Sequence, residues 1–128
     1  MSNKIKNILL IVFIFLTGCV THPKNPEYWI EKEINACMPT AIIFKQSLRK
    51  YDIWSEVFRY SYKDKTGKFR GHAMVAYLYP PGNNQLWTYD SMGSTRIRAY
   101  TNNILDIAQK SHYARNWYDK VLYAEYVK

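Results

Sequence analysis

Apolar and polar positions along the chain fall into blocks with different periods. Residues 8–16 are an unbroken apolar run, Ile-Leu-Leu-Ile-Val-Phe-Ile-Phe-Leu, preceded by Lys4 and Lys6. A membrane-spanning helix needs about 20 apolar residues to cross roughly 30 Å of hydrocarbon. This run is far shorter and has the length of the apolar core of a secretion signal. Residues 20–26, Val-Thr-His-Pro-Lys-Asn-Pro, have no apolar period and two prolines, so they read as a tether. Residues 27–35 read as a short helix with Tyr28, Trp29 and Ile30 apolar. A second helix is expected from about residue 39 to residue 50, where Ala41, Phe44, Lys45 and Leu48 recur at helical spacing. Pro39 suits the first turn of such a helix, where its missing N–H is no loss. The period then changes. Residues 54–62, 71–79, 85–90 and 95–100 are rich in aromatic and β-branched residues and predict four strands. Polar turns separate them: residues 63–68 with Gly67, Pro80-Pro81-Gly82-Asn83-Asn84, and residues 91–94. Residues 102–112 return to a helical pattern, and residues 121–127 read as a closing strand or a terminal helix. The expected fold class is α+β, with a helix packed on a small antiparallel β-sheet.

The apolar run ends at Leu16-Thr17-Gly18-Cys19. This resembles the lipobox of bacterial lipoproteins, in which the thiol is alkylated with a diacylglycerol and the chain is cut before the cysteine. The resemblance implies a signal peptide over residues 1–18, lipidation at Cys19, a lipidated tether over residues 19–26 and a domain over residues 27–128. Several acyl chains anchor stably where one alone is marginal. Val20 follows the lipid site, where an Asp would favour inner-membrane retention in enteric-type bacteria. The expected location is therefore the cell envelope, with the outer membrane favoured where one exists.

Composition narrows the partners. The chain has 128 residues, 18 basic and 10 acidic, for a formal charge of +8. Two of those positive charges, Lys4 and Lys6, belong to the signal. The rest are scattered, with no run of five, and read as a solvated surface beside an anionic membrane. Nucleic acid is not an expected partner of an envelope lipoprotein. The chain has two cysteines. With Cys19 lipidated, Cys37 has no intramolecular disulfide partner, although exported proteins meet oxidising conditions. It is either buried and inert or reactive. No metal site is expected, since His22 falls in the tether and only His72 and His112 remain beside one cysteine. No cofactor is implied.

Three residues can carry chemistry together: Cys37, His72 and Asp90. A thiol attacks a carbonyl carbon efficiently only as the thiolate. A helix start lowers the thiol pKa, and Cys37 is expected just before one. A histidine can take the thiol proton and later deliver it to a leaving amine. A carboxylate behind the imidazole fixes its tautomer and stabilises its charged form. His72 and Asp90 flank the expected hairpin. A turn centred near residue 81 sets them opposite each other on one face, and a two-residue slip leaves them diagonal neighbours.

Ala36-Cys37-Met38-Pro39-Thr40-Ala41 at the helix start, Gly71-His72-Ala73-Met74-Val75 on a strand, and Tyr89-Asp90-Ser91-Met92-Gly93-Ser94 after the next strand together resemble the papain-like superfamily. The closest likeness is to its bacterial transglutaminase-like and peptidase-like branches. The resemblance covers about residues 30–100. It implies a papain-like core and a catalytic Cys37, His72 and Asp90. Papain-type enzymes carry an oxyanion-hole Gln shortly before the nucleophile. Residues 31–36 contain none, so Asn35 or the Cys37 backbone N–H is the candidate donor here. The expected function is a membrane-anchored, thiol-dependent peptidase, amidase or acyl transferase acting on peptide, protein or cell-wall amides. The competing expectation is a non-catalytic binding lipoprotein on the same fold. Its support is the aromatic load of 12 Tyr and four Trp, at Trp29, Trp54, Trp87 and Trp117.

Overall fold

A computed structural model describes residues 25–128. The expected signal segment, Cys19 and the tether up to residue 24 lie outside the described residues. The first element is a single helix, α1 (Pro26–Arg49), of 24 residues. Asn25 caps it, its Oδ1 accepting the Glu27 N–H at 3.0 Å. Pro26 takes an early position that needs no N–H donor.

The two helices expected over residues 27–35 and 39–50 are therefore one, and Pro39 lies inside it. An interior proline removes one hydrogen bond and crowds the carbonyl four residues earlier, which costs about 3 kcal/mol. Ties to the sheet on both sides of Pro39 hold the helix continuous. Before it, Glu31 pairs with Arg59 and Glu33 with Arg70, and Glu33 Oε2 accepts the Gly71 N–H at 3.1 Å. After it, Lys45 and Arg49 both bind Glu56. Ile34 and Ala41 are the buried positions of the two halves.

Strands β1 (Ser55–Lys63), β2 (Phe69–Leu78), β3 (Leu86–Asp90) and β4 (Gly93–Ile97) follow, then helix α2 (Ile104–Ala114) and strand β5 (Val121–Tyr126). The strands form one antiparallel sheet in the order β4-β3-β2-β1-β5. Alternation along the strands sends successive side chains to opposite faces. Val57 and Val75 meet Ala41, Met38 and Phe44 of α1 on one face. Phe58, Tyr60, Met74, Ala76 and Leu86 meet Ile107 and Ala108 of α2 on the other. The helices thus cover opposite faces of the sheet.

Gly71 brings α1 closest to β2. A Cβ there would overlap the Ile30 carbonyl oxygen and come within 2.9 Å of Ile34 Cγ1. The absence of a side chain is what permits this approach.

The β2–β3 hairpin pairs Val75 with Tyr89 and Leu78 with Leu86, so it centres on residue 82, not near 81 as expected. The loop is symmetric about Gly82. The Tyr79 N–H closes it on the Gln85 carbonyl, and the Asn83 N–H bonds the Pro80 carbonyl inside it. Continuing this register sets Asp90 level with Met74. His72 and Asp90 are consequently diagonal neighbours, on the face that carries Met74.

A candidate thiol–imidazole–carboxylate site at the sheet edge

The β2–β3 ladder begins at Val75 and Tyr89. Residues 71–73 therefore form an edge of β2 with no strand beside them on that side. Cys37 approaches this open edge from α1, and His72 reaches it from the opposite face of the sheet. The Cys37 Sγ lies 3.2 Å from His72 Nδ1. His72 Nε2 donates to Asp90 Oδ2 at 2.7 Å. Asp90 ends β3, and its Oδ1 accepts the Met92 N–H at 2.8 Å across the tight β3–β4 turn. Cys37, His72 and Asp90 are thus brought together in one hydrogen-bonded line, from α1, β2 and β3.

Cys37 sits midway along α1 rather than at a helix start as expected. Little of the helix dipole acts there, since the effect is confined to the first and last turns. What lowers its pKa below the ordinary thiol value is first the hydrogen bond with His72. The imidazole's charge and the Ala73 backbone N–H add to it, against an opposing push from burial. Burial alone would pull His72 down, but its bonds to Asp90 and Cys37 outweigh that and raise it to about 9. Burial would likewise raise Asp90. The hydrogen bonds from His72, Arg115 and the Met92 N–H instead hold it well below the usual carboxylate range. The three shifts together favour a thiolate, an imidazolium and a carboxylate at neutral pH.

Arg115 was not among the residues expected at the site. It follows α2, and its Nε donates to Asp90 Oδ2 at 2.6 Å; the two side chains are each only 4 % exposed. Its other nitrogens bond the Ser111 and Gly93 carbonyls at 3.3 and 3.2 Å. Arg115 therefore neutralises the buried carboxylate and fixes the β3–β4 turn that carries it. An arginine at a helix end reads in sequence as a solvated residue, so no local pattern could have singled it out. The His72 ring is set by edge contacts from Tyr60 and Trp117, both at 5.7 Å between centroids.

Asn35, the expected oxyanion donor, is exposed and lines a surface hollow with Tyr28 and Glu31, not the cavity at Cys37. In a continuous helix, residues two apart point about 200° away from each other. The Cys37 N–H lies within the same helix, where the i→i−4 ladder takes it. The backbone donor directed at the sulfur is instead the Ala73 N–H on the open edge of β2.

A second histidine lies behind the site. His112 is fully buried, with Nδ1 3.1 Å from the Tyr60 hydroxyl and Nε2 2.9 Å from Asp119 Oδ1. Burial, opposed by Asp119, lowers its pKa and keeps it neutral. It acts as a polar strut beneath Tyr60.

Among the described residues no group of three His, Cys, Asp or Glu side chains is arranged to hold a metal ion. No helix among them is long and apolar enough to cross a membrane. No protein-family model, no curated protein and no solved structure matches the chain.

Proposed function

We propose that this chain is a thiol-dependent acyl-transfer enzyme of the cell envelope, a peptidase or amidase anchored through lipid on Cys19. In this reading the α+β domain is a papain-like, transglutaminase-like core. Cys37 is the nucleophile, His72 the general base and then acid, and Asp90 the group that orients it. The observation that carries the reading is the continuous line Sγ–Nδ1 at 3.2 Å and Nε2–Oδ2 at 2.7 Å. The perturbed pKa values support it, because a lowered thiol paired with a raised imidazole is what nucleophilic attack requires.

In the first step the Cys37 thiolate forms a bond to the amide carbonyl carbon. The C–N bond then breaks, and the proton on His72 Nδ1 goes to the departing amine. Asp90 keeps the other ring nitrogen protonated and offsets the imidazolium charge. The resulting Cys37 thioester is attacked by water, or by an amine, which gives its proton to His72. The thiolate then leaves, and the resting pair is restored. The Ala73 N–H is a backbone donor at the reacting centre.

The test is the pH dependence of iodoacetamide alkylation at Cys37. Wild type should react at pH 6, where an ordinary thiol is slow, and His72→Ala should suppress that reactivity. A covalent thioester trapped with an activated acyl donor would supply the step beyond a reactive thiol. A folded Cys37 that alkylates no faster than free cysteine, with a profile indifferent to His72→Ala, would remove the reading. Anchoring is tested separately: Cys19→Ser should abolish lipid labelling, and an intact Met1 terminus on the membrane-bound wild type would refute the processing.

A further inference from the structure

Charges that are scattered along the sequence gather at one end of the fold. Lys63 ends β1, Lys65 and Lys68 follow in the turn to β2, and all three are exposed. Lys68 Nζ sits 4.0 Å from the ring centre of Trp29, near the start of α1, and Lys32 Nζ lies 5.2 Å from the same ring. Val121 pairs with Tyr62, which sets exposed Lys120 beside the end of β1. The connection from α2 to β5 brings Tyr118, 67 % exposed, into a surface hollow shared with Lys65. The acidic groups nearby are already engaged. Arg70 holds Glu33 and Asp64, Arg59 holds Glu31, and His112 holds Asp119. Glu27 is exposed, but it stands about 200° around the helix from Trp29. The five ammonium groups therefore have no ion-pair partner among the described residues.

The chain outside the described residues joins the fold at this same end. Asn25 caps α1, and the stretch from Cys19 to Asn25 spans at most about 20 Å when fully extended. α1 itself is about 36 Å long. A lipid on Cys19 therefore keeps the first turns of α1, and the lysines around Trp29, nearest to the bilayer. The tether adds a further cation, Lys24. We propose that this end of the domain is a second, protein-borne membrane contact, in which Lys32, Lys63, Lys65, Lys68 and Lys120 bind the phosphates of anionic phospholipid headgroups. The proposal rests on the lipid-anchoring reading above for its geometry. Each lysine held near an anionic surface strengthens binding about fivefold, and tryptophan and tyrosine favour headgroup depth, where Trp29 and Tyr118 would sit. The acyl chains supply attachment and this face supplies orientation. Cys37 lies about two turns beyond Trp29, roughly 12 Å along the helix axis, which exceeds the headgroup layer of about 5–8 Å. The docked domain thus holds its thiol close above the bilayer without burying it in lipid.

The experiment places the full chain, expressed with its own leader and recovered from membranes, on vesicles of phosphatidylcholine or of an equal mixture of phosphatidylcholine and phosphatidylglycerol. Exposed amines are acetylated with a water-soluble active ester, and mass spectrometry reads the rate at each lysine. On the anionic vesicles Lys63, Lys65, Lys68 and Lys120 should be labelled about tenfold more slowly than on the neutral ones. Lys50, at the far end of α1, should not change. Salt at about 1 M should erase the difference, because screening then shortens to about 3 Å. Lys65→Glu combined with Lys120→Glu should abolish the protection of Lys63 and Lys68, and unchanged alkylation of Cys37 at pH 6 would show the fold intact. Equal labelling on the two vesicle types, with the chain bound to both, or protection that survives the double variant, would overturn the proposal and leave the lipid anchor standing. Binding to the anionic vesicles alone would remove the anchor and keep the contact, and binding to neither would remove both. Protection that appears without vesicles, with inorganic phosphate or on concentrating the chain, would assign the face to a soluble anion or a second copy and overturn the proposal.

Discussion

Single charges decide how the site behaves. His72 is raised to about 9, so the thiolate–imidazolium pair persists well above the histidine's ordinary range. On the acyl-transfer reading, turnover needs the imidazolium as a proton donor, whereas alkylation needs only the thiolate. Turnover should therefore fall as pH rises through about 9 while alkylation continues, which parallel pH series would measure. The sign for stability follows from the same shift. The contribution of charged His72 is full below its unfolded value of about 6.5 and is lost as pH rises through about 9. Arg115 belongs to the same balance, because it and His72 share Asp90 Oδ2. Arg115→Met should cost about 3–5 kcal/mol in urea unfolding, since it leaves a buried carboxylate with one partner fewer. It also removes a positive charge near His72, so the alkaline limb of turnover should move up. Asp90→Asn strands the guanidinium in turn, and combining the two substitutions should recover part of the loss. A purely local role for Arg115 would leave the limb where it is. Nothing adjacent to Arg115 in the chain announced this role. Its partner is 25 residues away in sequence, and only the burial of both explains why they pair.

At the scale of elements, the strands were legible because their period and their turns agree. Residues 54–62, 71–79 and 85–90 differ from β1, β2 and β3 by no more than two residues at any end. The residues flagged as chemical lie where alternation places them, His72 and Asp90 on one face. The helix was misread at Pro39 for a physical reason. A local rule weighs only the missing N–H, whereas Glu33 before Pro39 and Lys45 after it are tied to Arg70 and Glu56 on the sheet. Those ties cross long stretches of sequence and leave no local trace. The misreading carried two others with it: a dipole-activated Cys37 and an oxyanion role for Asn35. Both depend on a helix that starts at Cys37. Since Pro39 is exposed and interior, Pro39→Ala should stabilise the fold by up to about 3 kcal/mol. Thermal or urea melting would check it. A loss of stability would mean that the proline shapes α1 in a way the sheet depends on.

For the molecule as a whole, the site is assembled from distant parts of the chain. Cys37 comes from the first described element, His72 and Asp90 from the middle of the sheet, and Arg115 from the end of α2. α2 itself packs against β5, the last strand, and β5 pairs with β1, the first. The sheet is therefore closed only by the C-terminal residues. During refolding, pH 6 alkylation of Cys37 should appear with the global transition and not with early collapse, as pulses of iodoacetamide would record. Arg115 gives this order a further meaning. A chain that folds from its N-terminus already carries the thiol, the imidazole and the carboxylate before Arg115 joins them. Until that guanidinium docks, Asp90 and the β3–β4 turn lack the clamp that fixes them behind His72. The order of the chain thus makes its last third a keystone: the thiol–imidazole–carboxylate line is locked only once α2 has docked on the sheet.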